Sequence, residues 1–370
     1  MYKLELRDFI LSHDNWEELL TADPYNLKIS RDGDYIMFKY DQIASDFNIP
    51  LVREARGIIL DEKNWDCACH PFNKFGNYGE SYCPNIDWNT ASVQEKIDGS
   101  LIKFWYYYGW HISTNGTIDA FKAEINNVKY QNFGQLVIDA IHKIFPDEHQ
   151  FFKLLDPNCT YMFELVSPYN RVVIPYEETK LYFLGMRDME DGNEWNPEDS
   201  DVSYFFQVPK HYNLYSLEDV QKAASKLPWD EEGYVVCDGN FNRVKIKSPA
   251  YVAAHYTVAN GIITKKKLLK VILAHEEEEF LTYCPEYKEA IDEIKEDMQE
   301  LQRWCEEALR KISELPGYWR DYPRKEIFER VKDWPYIEFK YIMDNYKEYV
   351  NWKDFTKNWS ENKWMEVLYG

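Results

Sequence analysis

No run of about 18 uninterrupted apolar residues occurs in the chain, so no membrane-spanning helix is expected. The N-terminal segment MYKLELRDFILSHDNWEELL is charged and amphipathic and lacks the apolar stretch of a secretory signal. There is no low-complexity tract and no internal repeat, which argues against disordered, fibrous and solenoid classes. A Gly-x-Ser-x-Gly elbow is missing too, and the eight histidines sit in no recognisable frame, so a Ser/His/Asp hydrolase finds no support. The seven cysteines are scattered and odd in number; in a chain of this size they read as reduced, intracellular thiols. Cys67, Cys69 and His70 cluster, but no second ligand pair follows at metal-site spacing, and a strand that carries cysteines is the better reading. Positive charge is also short. The formal net charge is −21, and residues 251–370 hold 19 basic against 24 acidic residues. Neither end of the chain is a basic module, so any nucleic acid would be held by a local groove with salt-sensitive affinity.

What the chain has is material for a core: 370 residues, 45% hydrophobic and 17% aromatic. The first 250 residues are punctuated like a mixed, mostly antiparallel sheet protein. The runs YIMFKY, GIILD, LIKFWYYY, YMFELV, RVVIPY, KLYFLGM, GYVVC and RVKIK alternate with turn signals. Helical stretches interrupt them around Phe133 to Ile144 and Leu217 to Lys226. After Lys247 apolar and charged residues recur at helical spacing. KEAIDEIKEDMQELQRWCEEALRKISEL predicts a long amphipathic helix that stops near Pro316-Gly317. The expected organisation is α+β: a sheet-rich domain over 1–250 and an all-helical domain over 251–370, with the boundary near Ser248 to Ile263.

Four segments carry candidate chemistry. Glu95-Lys96-Ile97-Asp98-Gly99-Ser100 lies between two predicted strands, and Asp-Gly is a tight-turn signal that would present Lys96 at a strand edge. Taken alone it is equally an ordinary hairpin with an exposed lysine. Glu232-Gly233 opens a predicted hairpin whose return strand carries Lys245 and Lys247, two apart and so on one face. A solvent-facing polar side would look the same. Glu164 interrupts the apolar run Tyr161 to Val166, and a carboxylate in a buried strand is costly unless paired. A structural salt bridge and a ligand contact both answer that cost. Arg56 leads into a strand and Lys74 follows in PFNKFGN; arginine suits bidentate phosphate recognition.

In this order the motifs resemble the covalent nucleotidyltransferases, and specifically the bacteriophage RNA ligase 1 family. Lys96, Asp98 and Gly99 match its Lys-x-Asp-Gly motif. Phe163-Glu164, Glu232-Gly233 and Lys245-x-Lys247 match the motifs that follow. The narrower likeness rests on ARGIILD, PFNKFGN, FELVSPYNRVVIPY, EGYVV and VKIKS, which together span residues 53–248. One departure is Asn115, which stands before Gly116 where relatives often carry a basic residue.

The resemblance implies a nucleotidyltransferase fold of ATP-grasp-like antiparallel sheets with flanking helices. It also implies an ATP-dependent RNA ligase that uses Mg²⁺, with Mn²⁺ as a substitute. Lys96 would attack the α-phosphate of ATP, AMP would pass to a 5′-phosphate on RNA, and a 3′-hydroxyl would then displace AMP. A lysine of ordinary pKa costs about 4–5 kcal/mol to deprotonate at neutral pH, and neighbouring cations lower that cost. Lys245, Lys247 and the metal would supply that charge. Glu164 is expected at the ribose hydroxyls, Glu232 at the metal or the lysine, and Arg56 and Lys74 at phosphates. Tyr182 or Phe183 would stack on adenine. The expected substrate is RNA with single-stranded or broken loops, as in tRNA repair, handled by a cytoplasmic monomer (intracellular in a host if the source is viral) whose helical domain selects the RNA. The alternatives are a DNA ligase or an mRNA-capping guanylyltransferase, or a non-catalytic RNA-binding protein on the same fold. The first two usually append a barrel after the Lys-x-Lys strand, where this chain turns helical.

Overall fold

Short apolar runs separated by turns build three antiparallel sheets. The computed structural model describes residues 2–369 apart from 43, 126, 128, 257–263, 316–317, 347–349 and 358. Pro316-Gly317 and the C-terminal part of the expected boundary therefore lie outside the described residues. The chain divides into two units, Met1–His255 and Tyr256–Gly370.

The first unit starts with helices α1 (Glu5–Ser12) and α2 (Trp16–Thr21). Strands β1 (Leu27–Asp32) and β2 (Tyr35–Tyr40) follow, then α3 (Pro50–Glu54), β3 (Arg56–Asp61) and β4 (Cys67–Cys69). The four strands form one sheet in that order. Leu6, Ile10 and Val52 from the helices pack with Phe38, Ile58 and Leu60 from one sheet face. The other face, through Met37, Ile59 and Cys69, meets Trp105 of the second sheet.

β5 (Ser92–Glu95) belongs to the third sheet. The second sheet takes β6 (Ser100–Tyr106), β7 (Trp110–Thr114), β8 (Cys159–Val166), β9 (Lys180–Asp188) and β10 (Glu194–Trp195), in the order β10-β9-β8-β6-β7. Helices α4 (Phe133–His142) and α5 (Glu148–Leu154) lie between β7 and β8 in sequence. They bury Leu136, Ile141 and Phe151 against Phe104, Phe163 and Phe183. A strand's period of two sends Phe163 and Leu165 into this core and turns Glu164 to the other face.

The third sheet is completed by β11 (His211–Tyr212), β12 (Gly233–Cys237) and β13 (Arg243–Lys247), in the order β11-β5-β12-β13. Helix α6 (Leu217–Ala224) covers one face, where Val220 and Ala224 meet Val93, Val236, Val244 and Ile246. Helix α7 (Pro249–Tyr256) follows directly.

Two expectations change here. The strands on either side of Lys96 are not a hairpin: β5 and β6 lie in different sheets, so residues 96–99 are a crossover. And RVVIPY forms no strand, because the amides of Val173 and Ile174 donate to the Asp98 carboxylate rather than to a neighbouring strand.

The second unit contains α8 (Lys265–Leu273), α9 (Glu277–Tyr283), α10 (Lys288–Ser313), α11 (Arg324–Val331), α12 (Tyr336–Asn345), α13 (Trp352–Thr356) and α14 (Glu361–Tyr369). No strand is described after Lys247. Ala308 and Ile312 of α10 pack with Trp319, Ile327, Val331 and Ile342 to make its core. No helix among the described residues is long and apolar enough to cross a membrane.

Candidate active site

The β5–β12 ladder pairs Glu95 with Tyr234, and one further bond runs from the Lys96 amide to the Gly233 carbonyl at 2.9 Å. That register sets the side chain of Lys96 beside Glu232. Lys96 Nζ stands 2.7 Å from Glu232 Oε1, with the lysine side chain 21% and the glutamate 5% exposed. Gly233 has φ +139°, and a Cβ there would collide with the Ile246 carbonyl oxygen, so this close pairing requires glycine.

Beyond Lys96 the chain must change sheets. Asp98 secures that change. Its buried carboxylate accepts from the Val173 amide (2.9 Å), the Ile174 amide (2.7 Å) and the Tyr251 hydroxyl (2.8 Å). At Gly99 the crossover presses on β8, where a Cβ would strike the Leu165 carbonyl oxygen. Asp98 is thus a structural clamp on the segment that presents Lys96. Burial is the main reason the Tyr251 phenol titrates far above its ordinary range, so it stays a donor at working pH.

Lys96 opens on a cavity of about 780 Å³, lined also by Arg56, Glu164, Asn115 and Arg243 and walled by Phe72, Phe75, Leu101, Leu184 and Val235. Charged and polar groups share the wall with apolar ones, so the cavity offers both ion-pairing and packing surface to a small, charged ligand. Glu164 faces it from β8. Desolvation pushes its carboxyl up to about 7; Lys96 and Arg56 pull it down, while Glu232 and Asp98 push it up. Perturbed carboxyls of this kind cluster at functional sites. Arg56 lies over the Phe75 ring at 4.9 Å.

Of the candidate residues, Lys96, Glu232, Glu164 and Arg56 are brought together. Lys245 and Lys247 take the face of β13 opposite the buried Val244 and Ile246, together with the cavity-lining Arg243, but neither is itself in the lining. Lys74 does not join the set. Its ammonium sits over the rings of Tyr40 (5.1 Å) and Phe47 (4.9 Å), where the cation–aromatic contact holds it. Phe183 is fully buried with its ring 5.0 Å from that of Phe163, so it cannot stack on a ligand, and Tyr182 is not in the lining.

Other residues escaped the sequence reading. Arg243 stands two before Lys245, so strand alternation alone puts it on that face; Glu194 Oε2 pairs with it at 2.5 Å. Lys39 had no local signal. A Cβ on Gly116 would lie 3.3 Å from its Nζ, so a cation stands beside the Asn115–Gly116 loop. Lys103 is fully buried behind that loop and donates to the Gly57 carbonyl at 2.5 Å; desolvation, aided by Lys39 and Arg56, lowers its ammonium to about 8. Both ring nitrogens of His70 are engaged, by Tyr2 and Asn73. Among the described residues no group of three His, Cys, Asp or Glu side chains could hold a metal without help from a ligand.

Residues 54–251 match the family model described as RNA ligase. A protein of Autographa californica nuclear polyhedrosis virus, provisionally named a bifunctional polynucleotide kinase/RNA ligase, is 31% identical over 291 residues, 73% of this chain and 40% of that protein. The RNA ligase of Rhodothermus phage RM378 is 26% identical over 341 residues, 76% of each chain. A solved archaeal ATP-dependent RNA ligase superposes with a TM-score of 0.46 at 14% identity, over 75% of this chain and 72% of that one, which is too distant to add to the case. The chain thus spans less than half of the viral relative and about three quarters of the phage one. With more than half of its length matched by the family model, the chain belongs to the RNA ligase family.

Proposed function

We propose that this chain is an ATP-dependent RNA ligase that works through a covalent Lys96–AMP intermediate. The observation that carries the reading is Lys96 at a nucleotide-sized cavity, held against the Glu232 carboxylate at 2.7 Å and flanked by Glu164 and Arg56. The neutral Lys96 amine attacks the α-phosphorus of ATP, a P–N bond forms, and the P–O bond to pyrophosphate breaks. An RNA 5′-phosphate oxygen then takes the AMP and returns the lysine as a free amine. A 3′-hydroxyl finally attacks the activated 5′-phosphorus and AMP leaves.

Glu164 accepts from the ribose hydroxyls, and Arg56, Lys245 and Lys247 balance charge on the phosphates. Lys39 adds positive charge beside the Asn115–Gly116 loop. A divalent cation, Mg²⁺ or Mn²⁺, would be held by Glu232 together with phosphate oxygens. Such ions commonly take one or two carboxylates plus substrate phosphates, so the lack of an all-protein cage among the described residues fits. When bound it would neutralise phosphate charge. The substrate is RNA with 5′-phosphate and 3′-hydroxyl ends, in single strands or broken loops such as those of cleaved tRNA. The helical unit contributes to its selection.

The test is incubation with α-labelled ATP and Mg²⁺, then a denaturing gel. The chain should carry label; Lys96→Ala should carry none, and Lys96→Arg none, because guanidinium stays protonated. Label on Lys96→Ala would overturn the assignment of the nucleophile.

A further inference from the structure

Helix α12 continues its buried stripe into a face that opens on a cavity. Ile337, Tyr341 and Ile342 are buried, as a core-facing stripe should be. Tyr336, Phe339, Lys340 and Met343, at i, i+3, i+4 and i+7, line an open cavity of about 500 Å³ within the helical unit; Met343 is buried and Phe339 packs against the core, so Tyr336 and Lys340 form the open edge. Arg324, Lys325 and Phe328 close it from α11, beside the buried Ile327 and Val331. Phe328 and Phe339 meet edge to face at 5.6 Å, and Tyr336 is 64% exposed, with the Lys363 ammonium 5.5 Å over its ring.

The charges around it are sorted. Arg330 is paired with Glu326 at 2.8 Å, and Lys332 with Glu329 at 2.6 Å. Arg324, Lys325 and Lys340, which face the cavity, make no ion pair among the described residues, and Asp344 is the one carboxylate in the described lining. On a chain of net charge −21, three cations against one carboxylate beside exposed rings form a local exception. Rings offer stacking surface to any base, while the cations follow the phosphates.

We infer that this α11–α12 cavity binds single-stranded RNA, with a base against Tyr336 and Phe328 and the adjoining phosphates on Arg324, Lys325 and Lys340. The inference rests on the RNA ligase reading for its choice of RNA, but it concerns binding away from the Lys96 chemistry.

The experiment uses the full chain carrying Lys96→Ala, a fluorescein-labelled eight-nucleotide single-stranded RNA without a 5′-phosphate, and anisotropy titrations at several salt concentrations. Tyr336→Ala with Phe328→Ala should weaken binding about tenfold or more and leave the salt slope unchanged. Tyr336→Phe should bind normally. Arg324→Ala with Lys340→Ala should weaken binding and reduce the slope of log K against log salt by about 1.4, roughly 0.7 per lost phosphate contact. Circular dichroism confirms that each variant keeps its helices. Binding within twofold of the parent in both folded double variants overturns the inference. So does a polyglutamate peptide that binds as tightly as RNA and is lost in the same variants, since the cavity would then serve an acidic protein partner. If the chain with Lys96 restored forms no covalent AMP while the RNA effects stand, the ligase reading fails and this site survives.

Discussion

The candidate active site has two walls of unlike construction. The β12–β13 wall is a ladder of five residue pairs from Gly233↔Lys247 to Cys237↔Arg243, and no single side chain holds it. The Lys96–Gly99 wall is a crossover between sheets, secured by one carboxylate with three donors. Damage to a ladder should be local and graded, while damage to Asp98 should be collective.

Asp98→Ala is therefore the harshest test. It leaves two amides and a phenol buried without an acceptor, each worth about 1–3 kcal/mol. The crossover should shift, covalent AMP formation should fall by more than about 10³-fold, and the sheet-rich unit should melt earlier. Adenylation within tenfold of the parent would show that the clamp is dispensable. On the ladder, Lys245→Ala and Lys247→Ala should each slow adenylation by about 10²–10³-fold with an unchanged melting profile. Normal adenylation in both would mean that this face of β13 does not serve the nucleotide.

Glu164 gives the site a pH dependence. Its folded-state carboxyl titrates near 7 against an ordinary value of 4.5. The native state keeps this proton to higher pH than the unfolded chain, so the group withdraws stability as pH rises between those values. Accepting ribose hydroxyls favours the ionised form, so apparent ATP affinity should rise through pH 7. Glu164→Gln should weaken ATP binding roughly tenfold, about 1.4 kcal/mol, and flatten that rise. The readout is the KM for ATP in adenylation from pH 5.5 to 8.5; an inflection that survives in Glu164→Gln belongs to another group.

The same contrast explains what could be read from the sequence. The hairpin was legible because its partners are neighbours in the chain, and alternation fixed which residues share its faces. The crossover was not: Asp98 binds amides 75 and 76 residues away and a phenol 153 residues away. Asp-Gly looks the same in a hairpin turn and in a clamp. RVVIPY has strand composition, yet a distant carboxylate takes two of its amides. The resemblance puts Lys74 at a phosphate, yet two rings reached from other segments decide its place. Lys39 could be found by no local pattern, because the fold alone sets it beside Gly116.

The smallest effect separates the donors within the clamp. Tyr251 Oη is 2.8 Å from Asp98 Oδ1, and the two amides both go to Oδ2. Tyr251→Phe keeps the ring, which is 4% exposed and opens no void, and removes a single donor. A hydrogen bond to a charged group is worth about 1.5–3 kcal/mol, and the remaining pair to Oδ2 limits how far the crossover can move. Adenylation should drop only about three- to tenfold, with the melting transition a few degrees lower. Because burial keeps this phenol protonated, the ratio of variant to parent rates should stay flat from pH 6 to 9. A ratio that changes across that range would show that Tyr251 titrates and acts in proton transfer. A loss as large as that of Asp98→Ala would show that the phenol, not the amide pair, holds the nucleophile in place.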